Sequence, residues 1–532
     1  MGKADPGRKK PKILVVSAEC AALPSSMARS CDRPFGDPGG GGAAAAGLVE
    51  AMHAQGVEVH LAFPDYCALF RRSAEPACRA EDRRSRAGGE DRAARAAAMG
   101  RIHRAQDRIF YYAREAICAD PAENRMRALA FQREVIHQVL PRVSPDLVHC
   151  IGSATGLVPA AARSMGIQSV FTPDSAEIDP CTLAQMEDCG IDPVDFWRRL
   201  YFTRYPEGYE NSRTRIPADL AASGVFAADR VHFFSPGFLE RITKGAPTAT
   251  SPGLRPALER RLQSRCVAVV PGACESGAAP SSDRSLARRY TAADHGRGKK
   301  INKIELQQRL GLTENAWAPL LLCHAPLGSG EKRLGSLARI LARGGRSSPN
   351  TLQLIFFHPA GGGRIREIFS GQVESNRWAV CHASDGLLGQ GLAAADLFLG
   401  LSDRDPTGLL SHRARAYGAL PVVPETGGAA DCLLPMNDDV QDGNGILYRA
   451  RDNTDLARAL ARALAVARLP TEAHRRAVSQ LMQQGRAALD PRRKTPELIR
   501  LYESVIGRPL RPGGHETPVS AAAAELPRLE RA

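Results

Sequence analysis

The chain has 532 residues, 43% hydrophobic and 24% charged, which is longer than one hydrophobic core organises and excludes a disordered or fibrous protein. Its formal net charge of +14 invites a polyanion partner. The Arg-rich stretch Cys78–Arg104, however, interleaves acids with bases and has no aromatic side chain on which a base would stack, so it reads as a solvated helix or loop and nucleic acid is not an expected partner.

No run of eighteen apolar residues appears, and MGKADPGRKKPK leads straight into a strand-like stretch rather than a signal-peptide core. A cytoplasmic protein without a membrane partner is expected. The 13 cysteines, an odd count without a C-x-x-C pair, read as thiols. No metal or other cofactor is expected.

In chain order, Lys12–Ser17 (KILVVS) predicts a buried strand, Ala43–Gln55 a small-residue helix and Val57–Phe63 a second strand stopped by Pro64-Asp65-Tyr66. Strands follow at Asp146–Cys150, Gln168–Thr172 and Arg230–Phe234, with helices at Thr155–Met165 and Ser235–Thr243. After Cys266–Val270 a second series places strands at Pro319–Cys323, Thr351–Phe357, Trp378–Cys381, Leu397–Gly400 and Leu420–Val423. Helices are predicted between them at Lys332–Ala342, Arg364–Phe369 and Gly408–Tyr417, and afterwards at Thr454–Ala467.

Such alternation builds parallel sheets with helices on both faces, so the fold class is α/β with two doubly wound, Rossmann-like domains. Ligands of these sheets bind outside the carboxyl ends of the strands, and two such domains offer a cleft between them. Residues 1–272 are expected to form the first domain and 302–490 the second. Between them, 273–301 is rich in Gly, Ala, Ser and Arg and reads as an exposed linker or insertion. A C-terminal helix packing back on the first domain is expected over 491–515, then a disordered tail over 516–532.

The stretch SDRDPTGLLSHRARAYGALPVVPETGGAAD, from Ser402 to Asp431, joins an acid-Pro-x-Gly-Leu turn to a helix, a strand and a Thr-Gly-Gly turn. With KILVVSAE, PFGDPGGGG, VHCIGSATGLVPA, FAADRVHFFSPGFLERI, NKIELQQRLGL and GNGILY in the same order, it resembles the bacterial glycogen and starch synthases from Lys12 to Ile506. The resemblance implies a GT-B fold of two facing domains. It also implies transfer of glucose from ADP-glucose to the non-reducing end of an α-1,4-glucan, with retention at the anomeric carbon. Those two compounds are then the expected partners.

The resemblance places donor contacts at Gly39, Gly40, Thr407, Gly408, Thr426, Gly427 and Gly428. Several charged positions depart from the family pattern. The donor-loop lysine falls on Asp37, the sugar-contacting glutamate on Asp405, and the diphosphate-binding arginine and lysine on Pro326 and Glu331, with Lys332 one residue away. In the family's H-D-W-H-T-G-L the aspartate, tryptophan and histidine fall on Gly152, Ser153 and Ala154; the histidine and asparagine of T-I-H-N fall on Asp174 and Ser175.

Two readings of function follow. One is a glycogen synthase with remodelled donor contacts, in which Asp405 takes the glutamate's place and Lys332 or an arginine meets the phosphates. The other is a catalytically inactive relative that binds glucan, nucleotide or a partner enzyme. Simpler readings stand beside these sites: Gly39 to Gly42 as a plain turn, Asp405 as a charge partner of the following helix start, and His149 as a satisfied core histidine.

Overall fold

The computed structural model describes residues 10–20, 27, 41–66, 100–111, 113, 120–175, 179–244, 251–270, 279–324, 331–343, 352–358, 362–382, 387–401, 407–437, 443–449, 452–469 and 471–510. Its contacts divide it into two compact units. The first takes the described residues up to Val270 together with Pro491–Leu510; the second takes those from 279 to Asp490.

In the first unit β1 (Lys12–Ser17), β2 (Glu58–Pro64), β3 (Ile102–Ala105), β4 (Leu147–Ile151), β5 (Gln168–Thr172), β6 (Arg230–Phe233) and β7 (Val267–Val269) form one parallel sheet. Its order is β3-β2-β1-β4-β5-β6-β7. Helices α1 (Gly41–Ala54), α2 (Pro121–Glu134), α3 (Val158–Ser164), α4 (Leu220–Ala227) and α5 (Pro236–Lys244) lie between the strands in sequence. The central strand β4, LVHCI, is buried at every residue because apolar layers cover both faces of the sheet.

In the second unit β8 (Leu320–His324), β9 (Gln353–His358), β10 (Trp378–His382), β11 (Leu397–Gly400), β12 (Leu420–Pro424) and β13 (Ile446–Tyr448) form a parallel sheet. Its order, β10-β9-β8-β11-β12-β13, is the doubly wound arrangement in which the chain reverses direction beside its first strand. Helices here include α6 (His295–Leu310), α7 (Glu331–Arg343), α8 (Leu388–Ala394), α9 (Leu409–Ala416), α10 (Asn453–Ala467) and α11 (Thr471–Leu489). The last helix, α12 (Pro491–Ile506), returns to the first unit and lies against α1, β4 and β5.

Two expectations are corrected. Within the Arg-rich stretch read as solvated, Ile102–Ala105 is an edge strand with His103 and Ala105 buried, because its two-residue alternation matches the pleat. Residues 279–301, read as an exposed connection, carry the fully buried Tyr290 and the first turns of α6, whose Lys299 is also buried. Gly, Ala, Ser and Arg made that stretch resemble a loop, but its buried polar groups are satisfied by the second unit. Among the described residues no helix is long and apolar enough to cross a membrane.

Candidate functional site

At the carboxyl end of β4, Gly152 has φ +89°, a conformation that L side chains rarely adopt. A Cβ there would lie 2.5 Å from Asp174 Oδ2, just beyond the end of β5, and the Ser153 amide donates to Asp174 Oδ1 at 3.3 Å. A Cβ on Gly41, the first residue of α1, would lie 3.4 Å from the same Oδ2. The Asp174 carboxylate therefore sits over Gly152, close to the start of a helix, where negative charge is favoured. The carboxylate at 174 fills the volume that a side chain at 152 would need.

Below this loop lies a wholly buried chain of hydrogen bonds. His232 Nε2 meets the Val270 carbonyl at 3.0 Å, which only accepts, so Nε2 carries the proton. Burial holds His232 down to about 4 and His149 well below its ordinary value, the latter helped by His232, so both rings are neutral. His232 Nδ1 must then accept from the Thr172 hydroxyl at 2.8 Å, and the Thr172 oxygen accepts from His149 Nε2 at 2.7 Å. That leaves His149 Nδ1 to accept from Tyr502 at 2.5 Å. Every proton in the chain is assigned, and α12 is tied through it to β4, β5 and β6. His149 is the satisfied core histidine of the simpler reading.

In the second unit the Thr-Gly pair before α9 meets the Thr-Gly-Gly turn after β12. Thr407 is buried; its hydroxyl accepts from the amide of Leu409, the first residue of α9, at 3.2 Å, and its carbonyl accepts from Cys432 Sγ at 3.6 Å. Gly408 has φ +66°, and a Cβ on it would lie 2.5 Å from the Gly428 carbonyl oxygen and 2.4 Å from Cys432 Sγ. Only glycine lets the two turns touch. Gly427 precedes and Gly428 opens the short helix Gly428–Asp431.

Beside them the Thr426 hydroxyl is buried with no hydrogen-bond partner among the described residues. Arg333, on α7, donates to the Leu401 carbonyl, where β11 runs out towards Thr407. The structure thus brings together Thr407, Gly408, Thr426, Gly427 and Gly428, with one guanidinium at the same strand ends. Asp37, Gly39, Gly40 and Asp405 lie outside the described residues, as does the side chain of Lys332, whose backbone is in α7.

The opposite end of α9 is clamped by residues the sequence left in a linker. The Tyr417 carbonyl accepts from Tyr290 at 2.8 Å and from Lys299 Nζ at 3.1 Å. Lys299 Nζ also donates to the carbonyls of Ala395 at 2.6 Å and Ala393 at 3.2 Å, so one ammonium closes the carboxyl ends of α8 and α9. Burial pushes Lys299 down to about 7, against Asp396, which raises it, and together with Lys303, which lowers it. Lys303 pairs with Asp396 at 2.5 Å. No local signal announces this clamp, because its acceptors lie about a hundred residues downstream.

The family model described as the starch synthase catalytic domain matches residues 12–258. The chain is similar to the glycogen synthase of Geobacillus thermodenitrificans, 25% identical over 478 residues that cover 86% of this chain and 91% of that one. It is likewise similar to glycogen synthase 2 of Geobacter sulfurreducens, 26% identical over 479 residues covering 85% and 91%. Among solved structures it is similar to the catalytic domain of starch synthase IV from Arabidopsis thaliana bound to ADP and acarbose, with a TM-score of 0.68, 18% identity, and 94% and 100% of the two chains covered. A sucrose-phosphate synthase from Thermosynechococcus elongatus gives a TM-score of 0.55 at 16% identity, with 94% and 100% covered. At these identities the structural likeness shows the fold, that of two-domain glycosyltransferases.

Proposed function

Since the chain belongs to the glycogen and starch synthase family of glycosyltransferases, we propose that it binds ADP-glucose at the strand-end loops of its second unit and transfers the glucosyl group to an α-1,4-glucan. In that reaction the bond from the anomeric carbon to the β-phosphate oxygen breaks. The acceptor's 4-hydroxyl oxygen bonds to the same face of the carbon, and its proton leaves with ADP. Such chemistry needs fixed positive charge and donors around the departing diphosphate.

The observation that carries the reading is the contact of Gly408 with Gly428 beside a buried Thr426 hydroxyl that has no hydrogen-bond partner among the described residues. A buried hydroxyl without a partner costs about 1–3 kcal/mol, and a phosphate oxygen is the kind of acceptor that removes the cost. The start of α9 and the Arg333 guanidinium add positive potential at the same strand ends.

A second reading, a relative that binds glucan, nucleotide or a partner without turnover, is favoured by the first unit. There a carboxylate, Asp174, stands at the position the family gives to an imidazole. The two are separated by titrating the purified protein with ADP and by following transfer of glucose from ADP-glucose and from UDP-glucose to glycogen. Binding with turnover supports the first reading, binding without it the second, and the absence of both overturns the donor site.

A further inference from the structure

The first unit has a concave site at the amino-terminal ends of its strands. It is an open pocket of about 520 Å³ lined by Lys12, His60, His103, Arg104, Gln106 and Arg142 among others. That volume suits a small ligand. Three of the lining residues are permanent cations. They come from the first residue of β1, from β3 and from the short helix Leu140–Val143, so sheet and helix hold them as one constellation.

The two histidines make the site specific. Arg142 only donates, so its contact of 3.1 Å to His103 Nδ1 leaves that nitrogen unprotonated and puts the proton on Nε2. His103 Nε2 then donates to His60 Nδ1 at 3.0 Å, which leaves the His60 proton on Nε2. That Nε2 is buried and has no hydrogen-bond partner among the described residues; its nearest acid oxygen, on Glu58, is 3.7 Å away and beyond hydrogen-bond reach. An unsatisfied donor on a residue that lines a cavity with three cations in its lining fits an absent acceptor.

We propose that this cavity binds a small phosphorylated molecule carrying two or more negative charges, its phosphate lying between Lys12, Arg104 and Arg142 and accepting the His60 Nε2 proton. The electrostatics agree. Burial, then Arg101 and Lys12, hold His60 down to about 4; burial, then His60 and Arg142, hold His103 down to about 4. The groups facing the pair are Lys12 from β1, Glu58 from β2, Arg101 and Arg104 around β3, and Arg142 from the helix, so one acid meets four bases. The site shares no residue with the donor loops of the second unit.

The test is histidine-selective 13C labelling of the full chain, with the His60 and His103 ring signals assigned from His60→Gln and His103→Gln. Inorganic phosphate and then pyrophosphate are titrated, with sodium chloride at matched ionic strength and glucose as controls. Both signals are expected to move saturably with the phosphates and not with glucose, and both rings to titrate at higher pH when phosphate is bound. Arg142 is exposed, so Arg142→Gln should fold, as unchanged His149 and His232 signals would confirm, yet weaken phosphate binding at least tenfold. Signals that do not move, that follow chloride equally, or that respond to phosphate as before in Arg142→Gln overturn the site.

Discussion

Replacing Thr172 by Val removes the middle hydroxyl of the buried chain from Tyr502 to Val270 while keeping nearly the same volume. His149 Nε2 loses its acceptor at 2.7 Å and His232 Nδ1 its donor at 2.8 Å, and both rings stay fully buried. Each orphaned group costs about 1–3 kcal/mol, so Thr172→Val should lose about 2–6 kcal/mol, a large part of a domain's usual 5–15 kcal/mol. Tyr502→Phe, which orphans only His149 Nδ1, should lose about 1–3 kcal/mol. Because the proton assignments run in one direction from Val270, the two changes should not add; a coupling of about 0.5–3 kcal/mol is expected in the double variant.

The same chain sets a pH dependence. Both histidines are held below their unfolded value, so the unfolded state binds protons that the folded state refuses. Their contribution is present above about pH 6.5 and is lost as pH falls towards 4. For His232, held at about 4, the loss is about 3 kcal/mol. Urea unfolding at pH 7.5, 6 and 5 measures the totals, and hydrogen exchange of peptides spanning 491–510 reads whether α12 loosens first. A Thr172→Val loss below 1 kcal/mol, or unchanged exchange in α12, would refute the assigned chain.

Gly408→Ala should cost about 1–2 kcal/mol for the left-handed backbone alone, and by displacing Gly428 should weaken ADP binding at least tenfold, measured by calorimetry. Gly152→Ala should destabilise by about 2–4 kcal/mol in thermal or urea unfolding. Asp174→Ala should recover only part of this, since it removes the 2.5 Å clash and not the positive φ. Lys299→Met leaves the carbonyls of Ala393 and Ala395 without this buried donor, Tyr417 keeping Tyr290, and should cost about 2–4 kcal/mol in the urea unfolding of the second unit. If Lys299→Met is neutral, the ammonium is not the clamp.

Much of the fold was legible because its strands announce themselves. Lys12–Ser17, Gln168–Thr172 and Leu397–Gly400 have the predicted bounds, each built around a short apolar run, as parallel strands covered on both faces are. Helix α2 was missed for the converse reason. Arg127 to Gln132 are buried in succession, so no 3.6-residue stripe exists, although Asp120 and Pro121 supply a cap and a first helical residue. The Thr-Gly and Thr-Gly-Gly turns were legible as motifs, being fixed by local backbone geometry. The pairing of Gly152 with Asp174, the Lys299 clamp and the bond from His149 to Tyr502, 353 residues apart, depend on tertiary placement, which spacing does not encode.

That distinction changes how the departures from the family pattern are weighed. Counted along the sequence, the aspartate missing at 152 and the histidine missing at 174 are two separate losses. In space the Asp174 carboxylate lies directly over Gly152 and close to the start of α1, so negative charge stands at these strand ends. In the second unit Gly408 contacts Gly428, and the buried Thr426 hydroxyl, without a partner among the described residues, costs stability that an acceptor would remove. A chain that had given up its ligand would gain about 1–3 kcal/mol by replacing that threonine with an apolar residue of similar size. The physical case is therefore stronger for a retained ligand than for a retained rate, which is why the ADP titration must be read before the transfer assay.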